Sequence, residues 1–287
     1  MAFWKKKEQP RYNHLIGHDL LDEVVDLVSP IPLRCFCDPT CEMGQNILSR
    51  LAQDDQGGAV FIVGPTTFYT SVISSLEEIP TTIIFWQTSF LDAARLLPRE
   101  VPIPNLTIYD TTLYLEEQDV LGGVAHLISL GISCDRGLFD LVYSSFTKEG
   151  LLNRAVPMLL EMRMAEEDGS EIRTRLTFGH TMARALFTLG EGELTYEEAL
   201  ACGMLLEARA GVRAGRVPLR LYQDLDGVIS YLGLPREYVV EPAALQTVMA
   251  DLYGDTLTLH LPKKKGMAAP YETTLTPWLT LLQKSSV

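Results

Sequence analysis

Apolar residues recur at helical spacing through Leu20, Val24, Val25 and Val28, and Asp19 stands in front of them as a candidate N-cap. The run Leu33–Cys37 is short, apolar and stopped by Asp38-Pro39, the signature of a strand. Met43, Ile47, Leu48 and Leu51 then trace one face of an amphipathic helix. The alternation continues with strands predicted at Ala59–Val63, Thr81–Trp86 and Leu106–Tyr109, separated by helices at Phe68–Leu76 and Phe90–Leu97. Strands that alternate with helices predict a parallel sheet covered on its faces. From about residue 112 the strand signals stop and helical patterns run to roughly residue 250. A late hairpin is predicted from Thr256–His260 and Tyr271–Leu275, joined through Pro262-Lys263-Lys264-Lys265-Gly266. The expected architecture is an α/β domain over 1–112 followed by a mainly α-helical domain over 113–287.

Composition narrows the partners. The 37 acidic against 24 basic residues give a formal charge of −13, which repels nucleic-acid phosphates and anionic lipid. No apolar run reaches the roughly 18 residues of a membrane span. The basic stretch Met1–Lys7 has no apolar segment behind it and does not read as a secretory signal. Five cysteines in a chain 47% apolar suit a reducing cytoplasm better than a disulfide scaffold. Cys35, Cys37 and Cys41 invite a metal reading, but no fourth Cys or His lies nearby, and burial beside a strand explains them.

Candidate chemistry is sparse. Open α/β sheets bind ligands at the C-terminal ends of their strands, where a glycine-rich turn admits phosphate. The turn Gly64-Pro65-Thr66-Thr67 has one glycine and a proline without an N–H, so it reads as an ordinary strand-to-helix turn. Leu176–Arg184 places His180 beside Gly179, in the manner of a histidine facing a second helix, but Arg184 one turn on opposes a bound cation. In the acidic run Glu191–Glu198, Thr195 and Glu198 have the spacing of a capping box.

The stretch Arg173-Thr-Arg-Leu-Thr-Phe-Gly-His-Thr181 resembles the L-N-F-G-H-T segment of 3-dehydroquinate synthases. Glu197–Met204 is similar to that family's H-G-E-A-V-A-I-G-M helix, and Gly122–Gly131 to its A-G-L-A-E-V-I-K-Y-G segment. Leu232-Gly233-Leu234-Pro235 and the late hairpin also match in order, and Ile16–Asp22 resembles the family's first helix. The resemblance implies a Rossmann-like sheet followed by the helical dehydroquinate synthase-like domain, in a chain shorter than family members usually are.

It also implies a site. The family closes a phosphorylated sugar acid into a ring with NAD and a metal, usually zinc, held by Glu, His and His. Those three positions carry His126, His180 and Tyr196 here. Arg173 matches a substrate-binding arginine, Arg184 replaces a histidine, Ser129 replaces a lysine, and Asp251-Leu252-Tyr253 stands where the family has D-K-K. The nucleotide cradle is represented by Gly64-Pro65-Thr66-Thr67, and a second glycine- and lysine-rich segment is missing between Leu91 and Asn105. The expectation is therefore a non-catalytic interaction protein, a homodimer that binds neither NAD nor metal. Two alternatives are a divergent sugar-phosphate cyclase with a metal on His126, His180 and a neighbouring acid such as Glu198, and a small-anion module using Arg173 and Arg184.

Overall fold

The structure, a computed structural model, describes residues 12–51, 54, 57–144, 147–170 and 172–283, without the side chains of Met43 and Arg175. The basic stretch at 1–7 lies outside the described residues. The chain forms two compact units, the first ending at Asp119 and the second beginning at Val120. The boundary falls beyond residue 112 because the intervening turn stays bound to the first unit. Asp119 accepts hydrogen bonds there from the Ser89 hydroxyl at 2.6 Å and the Phe90 amide at 2.6 Å.

The first unit is a five-stranded, all-parallel sheet made of β1 (Asn13–Gly17), β2 (Leu33–Cys37), β3 (Ala59–Gly64), β4 (Thr82–Gln87) and β5 (Leu106–Asp110). Its order is β1-β5-β4-β3-β2. The intervening helices are α1 (Leu21–Val28), α2 (Glu42–Ser49), α3 (Thr66–Ser75) and the short α4 (Phe90–Ala93). The inner strand β3, between β4 and β2, is buried at every position, as expected of a strand covered on both faces. Phe61 and Val63 join one core with Val24, Val28, Ile47 and Trp86, while Val60 and Ile62 join the other with Tyr69, Val72 and Phe85. The period-2 alternation of side chains thus feeds two cores from one uninterrupted apolar run.

Three expectations are corrected. Ile16 and Gly17, expected in the first helix, end the edge strand β1, which is only partly buried and carries no clean apolar alternation, and α1 starts at Leu21. Asp19 is not the N-cap of α1. It has a left-handed backbone (φ 56°), and the cap residue is Leu20, with the carboxylate of Asp110 accepting from the Asp19 amide at 3.1 Å and the Leu20 amide at 2.9 Å. The helix expected over Phe90–Leu97 closes after Ala93.

The second unit contains α5 (Glu117–Cys134, whose first three residues belong to the first unit), α6 (Arg136–Ser144), α7 (Lys148–Glu167), α8 (His180–Leu189), α9 (Tyr196–Arg213), α10 (Leu219–Tyr231), α11 (Pro242–Tyr253) and α12 (Leu275–Gln283). A two-stranded antiparallel hairpin, β6 (Thr256–Lys264) and β7 (Met267–Thr274), precedes α12. The hairpin is longer than expected, with the turn tightened to Lys265-Gly266 and Gly266 at φ 77°. α5 is buried continuously from Gly122 to Ser133, so its polar residues His126, Ser129 and Ser133 sit inside the unit.

Helices α8 and α9 meet through glycine. A Cβ added at Gly203 would lie 2.7 Å from the Ala183 amide nitrogen and against the Gly179 carbonyl. Gly179 itself has φ 83°, a conformation that side-chain-bearing residues rarely adopt. These two glycines bring the start of α8 against α9. The start of α9 is fixed by the expected capping box: the Thr195 hydroxyl accepts from the Glu198 amide at 3.2 Å, and the Glu198 carboxylate accepts from the Thr195 amide at 2.8 Å.

Candidate functional site

The beginnings of α8 and α9 and the middle of α5 bring His126, His180 and Tyr196 together. Ring centroids are 5.4 Å apart for His126 and His180, 6.4 Å for His126 and Tyr196, and 5.9 Å for His180 and Tyr196. The Tyr196 hydroxyl and His180 Nδ1 share a 2.8 Å hydrogen bond. A fourth group joins them, because Glu197 places a carboxylate oxygen 3.6 Å from His126 Nε2. Sequence reasoning missed Glu197 and offered Glu198 as the nearby acid. The reason is angular: successive residues of a helix point about 100° apart, so the capping box holds Glu198 at the helix start while its neighbour faces α5.

Two imidazoles, a carboxylate and a phenol are donor types that hold divalent metals. Here they contact one another in pairs, His180 with Tyr196 and His126 with Glu197. Among the described residues no group of three or more His, Cys, Asp or Glu is gathered as a metal-binding set. Phenols ionise only near pH 10, so a tyrosine in place of a third histidine weakens any such set. The residues as arranged therefore do not fit the Glu-His-His metal site that the resemblance implies.

The start of α8 depends on a buried acid. Glu207 of α9 is fully buried, and its carboxylate accepts from the amides of Gly179 at 2.8 Å and Met182 at 3.1 Å. Burial pushes its pKa up to about 7, opposed by these amide hydrogen bonds. Glu207 thus fixes the turn that carries His180.

The remaining positions have taken structural roles. The Ser129 hydroxyl donates to the Phe178 carbonyl at 2.8 Å. Thr177 meets His260 Nδ1 at 3.2 Å, and the Tyr253 hydroxyl donates to the Thr181 carbonyl at 3.2 Å. Arg173 is paired with the buried carboxylate of Glu166 on α7, whereas Arg184 is exposed on α8. The two arginines stand on different elements, and Arg173 is already engaged by an acid.

In the first unit, the C-terminal edge of the sheet is furnished with carboxylates. The first amide of α3, on Thr66, donates to Asp92 at 2.8 Å. Asp110 holds the start of α1, and Asp119 holds the start of α4. Gln87, buried at the end of β4, donates to the Thr66 hydroxyl at 2.9 Å. A Cβ at Gly64 would lie 2.8 Å from the Phe68 ring, and Pro65 provides no N–H. The helix termini that would receive a dinucleotide's phosphates already hold negative side chains. These residues do not fit NAD.

The cysteine cluster is structural. Cys35, Cys37 and Cys41 pack against the sheet core, and the Cys41 sulfur caps α2 by accepting from the Gly44 amide at 3.3 Å. Burial pushes the Cys35 and Cys37 thiols up to about 11, so neither is a ready thiolate.

Residues 123–256 match the family described as 3-dehydroquinate synthase C-terminal. The 3-dehydroquinate synthase of Leuconostoc citreum is 28% identical over 178 residues, 58% of this chain and 49% of that protein. That of Thermoanaerobacter pseudethanolicus is 26% identical over 147 residues, 47% of this chain and 41% of that protein. The chain thus spans about half or less of the length of these curated relatives. In fold it is similar to the 2-epi-5-epi-valiolone synthase of Streptomyces hygroscopicus subsp. jinggangensis, solved with NAD+ and Zn2+ bound. The two superpose with a TM-score of 0.74 over 98% of both chains at 16% identity. No helix among the described residues is long and apolar enough to cross a membrane. Over residues 123–256 the chain is thus similar to the C-terminal region of 3-dehydroquinate synthases, and it shares the dehydroquinate synthase-like fold.

Proposed function

We propose that this chain keeps the dehydroquinate synthase-like scaffold without the family's NAD- and metal-dependent ring closure, and acts as a homodimer through the molecules it binds. The observation that carries this is the set of aspartates at the helix starts along the sheet edge. A pyrophosphate brought to Thr66 would have to displace Asp92 from the amide it holds and would meet its charge. Two like charges about 4 Å apart repel by roughly 4 kcal/mol at an effective dielectric near 20. That is enough to turn a micromolar cofactor site into one of millimolar affinity or weaker. The similar valiolone synthase holds NAD+ and Zn2+, and both groups lack a fitting set of donors here.

The test is thermal unfolding with and without 1 mM NAD and equimolar zinc, together with an assay for dehydroquinate formation from the family's substrate. No shift and no turnover are expected. A cofactor present at a hundred times its dissociation constant adds about 2.7 kcal/mol, a readily seen shift. A saturable shift with NAD, or turnover above a His180→Ala control, would overturn the proposal.

Glu197 favours a second possibility, a divergent metal-dependent sugar-phosphate cyclase. Its contact with His126 returns a carboxylate to the group of side chains, from α9 instead of α5. Metal analysis separates the two. One tightly held equivalent of zinc, lost in both His180→Ala and Glu197→Gln, would favour the cyclase.

A further inference from the structure

The second unit contains a cavity of about 580 Å³ among α9, α10, the start of α11 and α12. That volume is in the range of about 300–1,000 Å³ typical of small-molecule sites. Leu205, Leu206, Val240, Leu245, Leu279 and Leu282 supply an apolar lining. Four charged side chains also line it. Arg236 is bound in a fork to Asp226, with contacts of 2.8 and 2.6 Å, and Glu237 is exposed.

Arg209 differs from these. It is half-buried, its Nε is out of contact with water and has no hydrogen-bond partner, and no carboxylate among the described residues pairs with it. Its neighbour one turn along α9 is Arg213, whose guanidinium donates to the Leu281 and Leu282 carbonyls at the end of α12. Burial first, and then the Arg209 charge, lower the Arg213 pKa below its ordinary value. Like charges at this spacing on a helix repel. An arginine held in an apolar cavity beside a second arginine, without a counter-ion, has the chemistry of an anion anchor.

We propose that this cavity binds a small organic acid, its aromatic or short aliphatic body against the leucines and its carboxylate on the Arg209 guanidinium. Neutral ligands of the same shape would gain the apolar contact and leave the guanidinium without its counter-charge. The site is built from the second unit alone and does not depend on whether ring closure is retained.

The probes are 2-naphthoate and the neutral 2-naphthamide, titrated calorimetrically into the full chain, with methyl chemical shifts reporting location. Naphthoate is expected to bind one to one, at least tenfold more tightly than naphthamide, and to shift the methyls of Leu206, Val240 and Leu279. Arg209→Gln should abolish the difference between the probes, and Leu206→Trp, which fills the cavity, should weaken both. Circular dichroism and urea midpoints establish that the variants fold, and the methyl map of the unsubstituted chain tests the site if one does not. Equal binding of the two probes, no saturable binding at millimolar concentration, or methyl shifts outside the cavity would overturn the proposal. NAD and zinc shifts are read separately, so failure here leaves the proposal about ring closure standing.

Discussion

Glu207 shows how one side chain can set the pH response of a site it does not line. Its folded pKa of about 7 lies above the ordinary carboxylate value, so burial disfavours the charged form. The sign follows from linkage: its contribution to stability is fully present below about pH 4.5 and is lost as pH rises through about 7. Between pH 5 and pH 8 the chain should lose about 2 kcal/mol through this group. Urea denaturation at both pH values should show that loss in the unsubstituted chain and a smaller one in Glu207→Gln. Equal pH dependence in the two proteins would count against the assignment. At the same scale, Tyr196→Phe removes the hydroxyl that His180 holds at 2.8 Å. It should cost about 1 kcal/mol and alter the pH titration of the His180 ring followed by NMR.

At the scale of elements, the site exists because α8 and α9 touch through glycine. Gly203→Ala puts a methyl group against the Gly179 carbonyl and 2.7 Å from the Ala183 amide nitrogen, both main-chain atoms that cannot turn aside. Overpacking of this kind costs about 1–3 kcal/mol, and the helices should separate enough to break the His180–Tyr196 hydrogen bond. Loss of stability without any change at that bond would show that the glycine serves packing alone. The start of α9 is more tolerant. Thr195→Ala removes one half of the capping box and should cost about 1 kcal/mol by urea denaturation.

At the scale of the molecule, a formal charge of −13 adds self-repulsion to whatever the cores provide. Raising salt from about 0.01 to 0.15 M shortens the screening length from about 30 Å to about 8 Å. The melting temperature should therefore rise over that interval, and a fall would imply that ion pairs such as Arg236–Asp226 outweigh the repulsion. Part of that charge stands at the sheet edge, where Asp92, Asp110 and Asp119 hold the helix starts.

What the sequence determined by itself is the alternation of β3, α3 and β4, the helical second half, the capping box at Thr195 and the late hairpin. Each is written in local periodicity or in a short side-chain-to-backbone spacing. That His126, His180 and Tyr196 lie together was anticipated from the resemblance alone, not from any local pattern. Tertiary structure decided the rest, because the deciding partners are distant in the chain. Asp110 caps α1 across some ninety positions, so Asp19, the obvious local candidate, was the wrong residue. Asp92 occupies the Thr66 amide from another helix, and Glu207 supports the α8 turn from the helix packed against it. The capping-box spacing assigns Glu198 in the sequence, but nothing local places Glu197, which only the tertiary structure brings to His126 on α5. Glu198 is bound to its own helix start, and Glu197 faces His126.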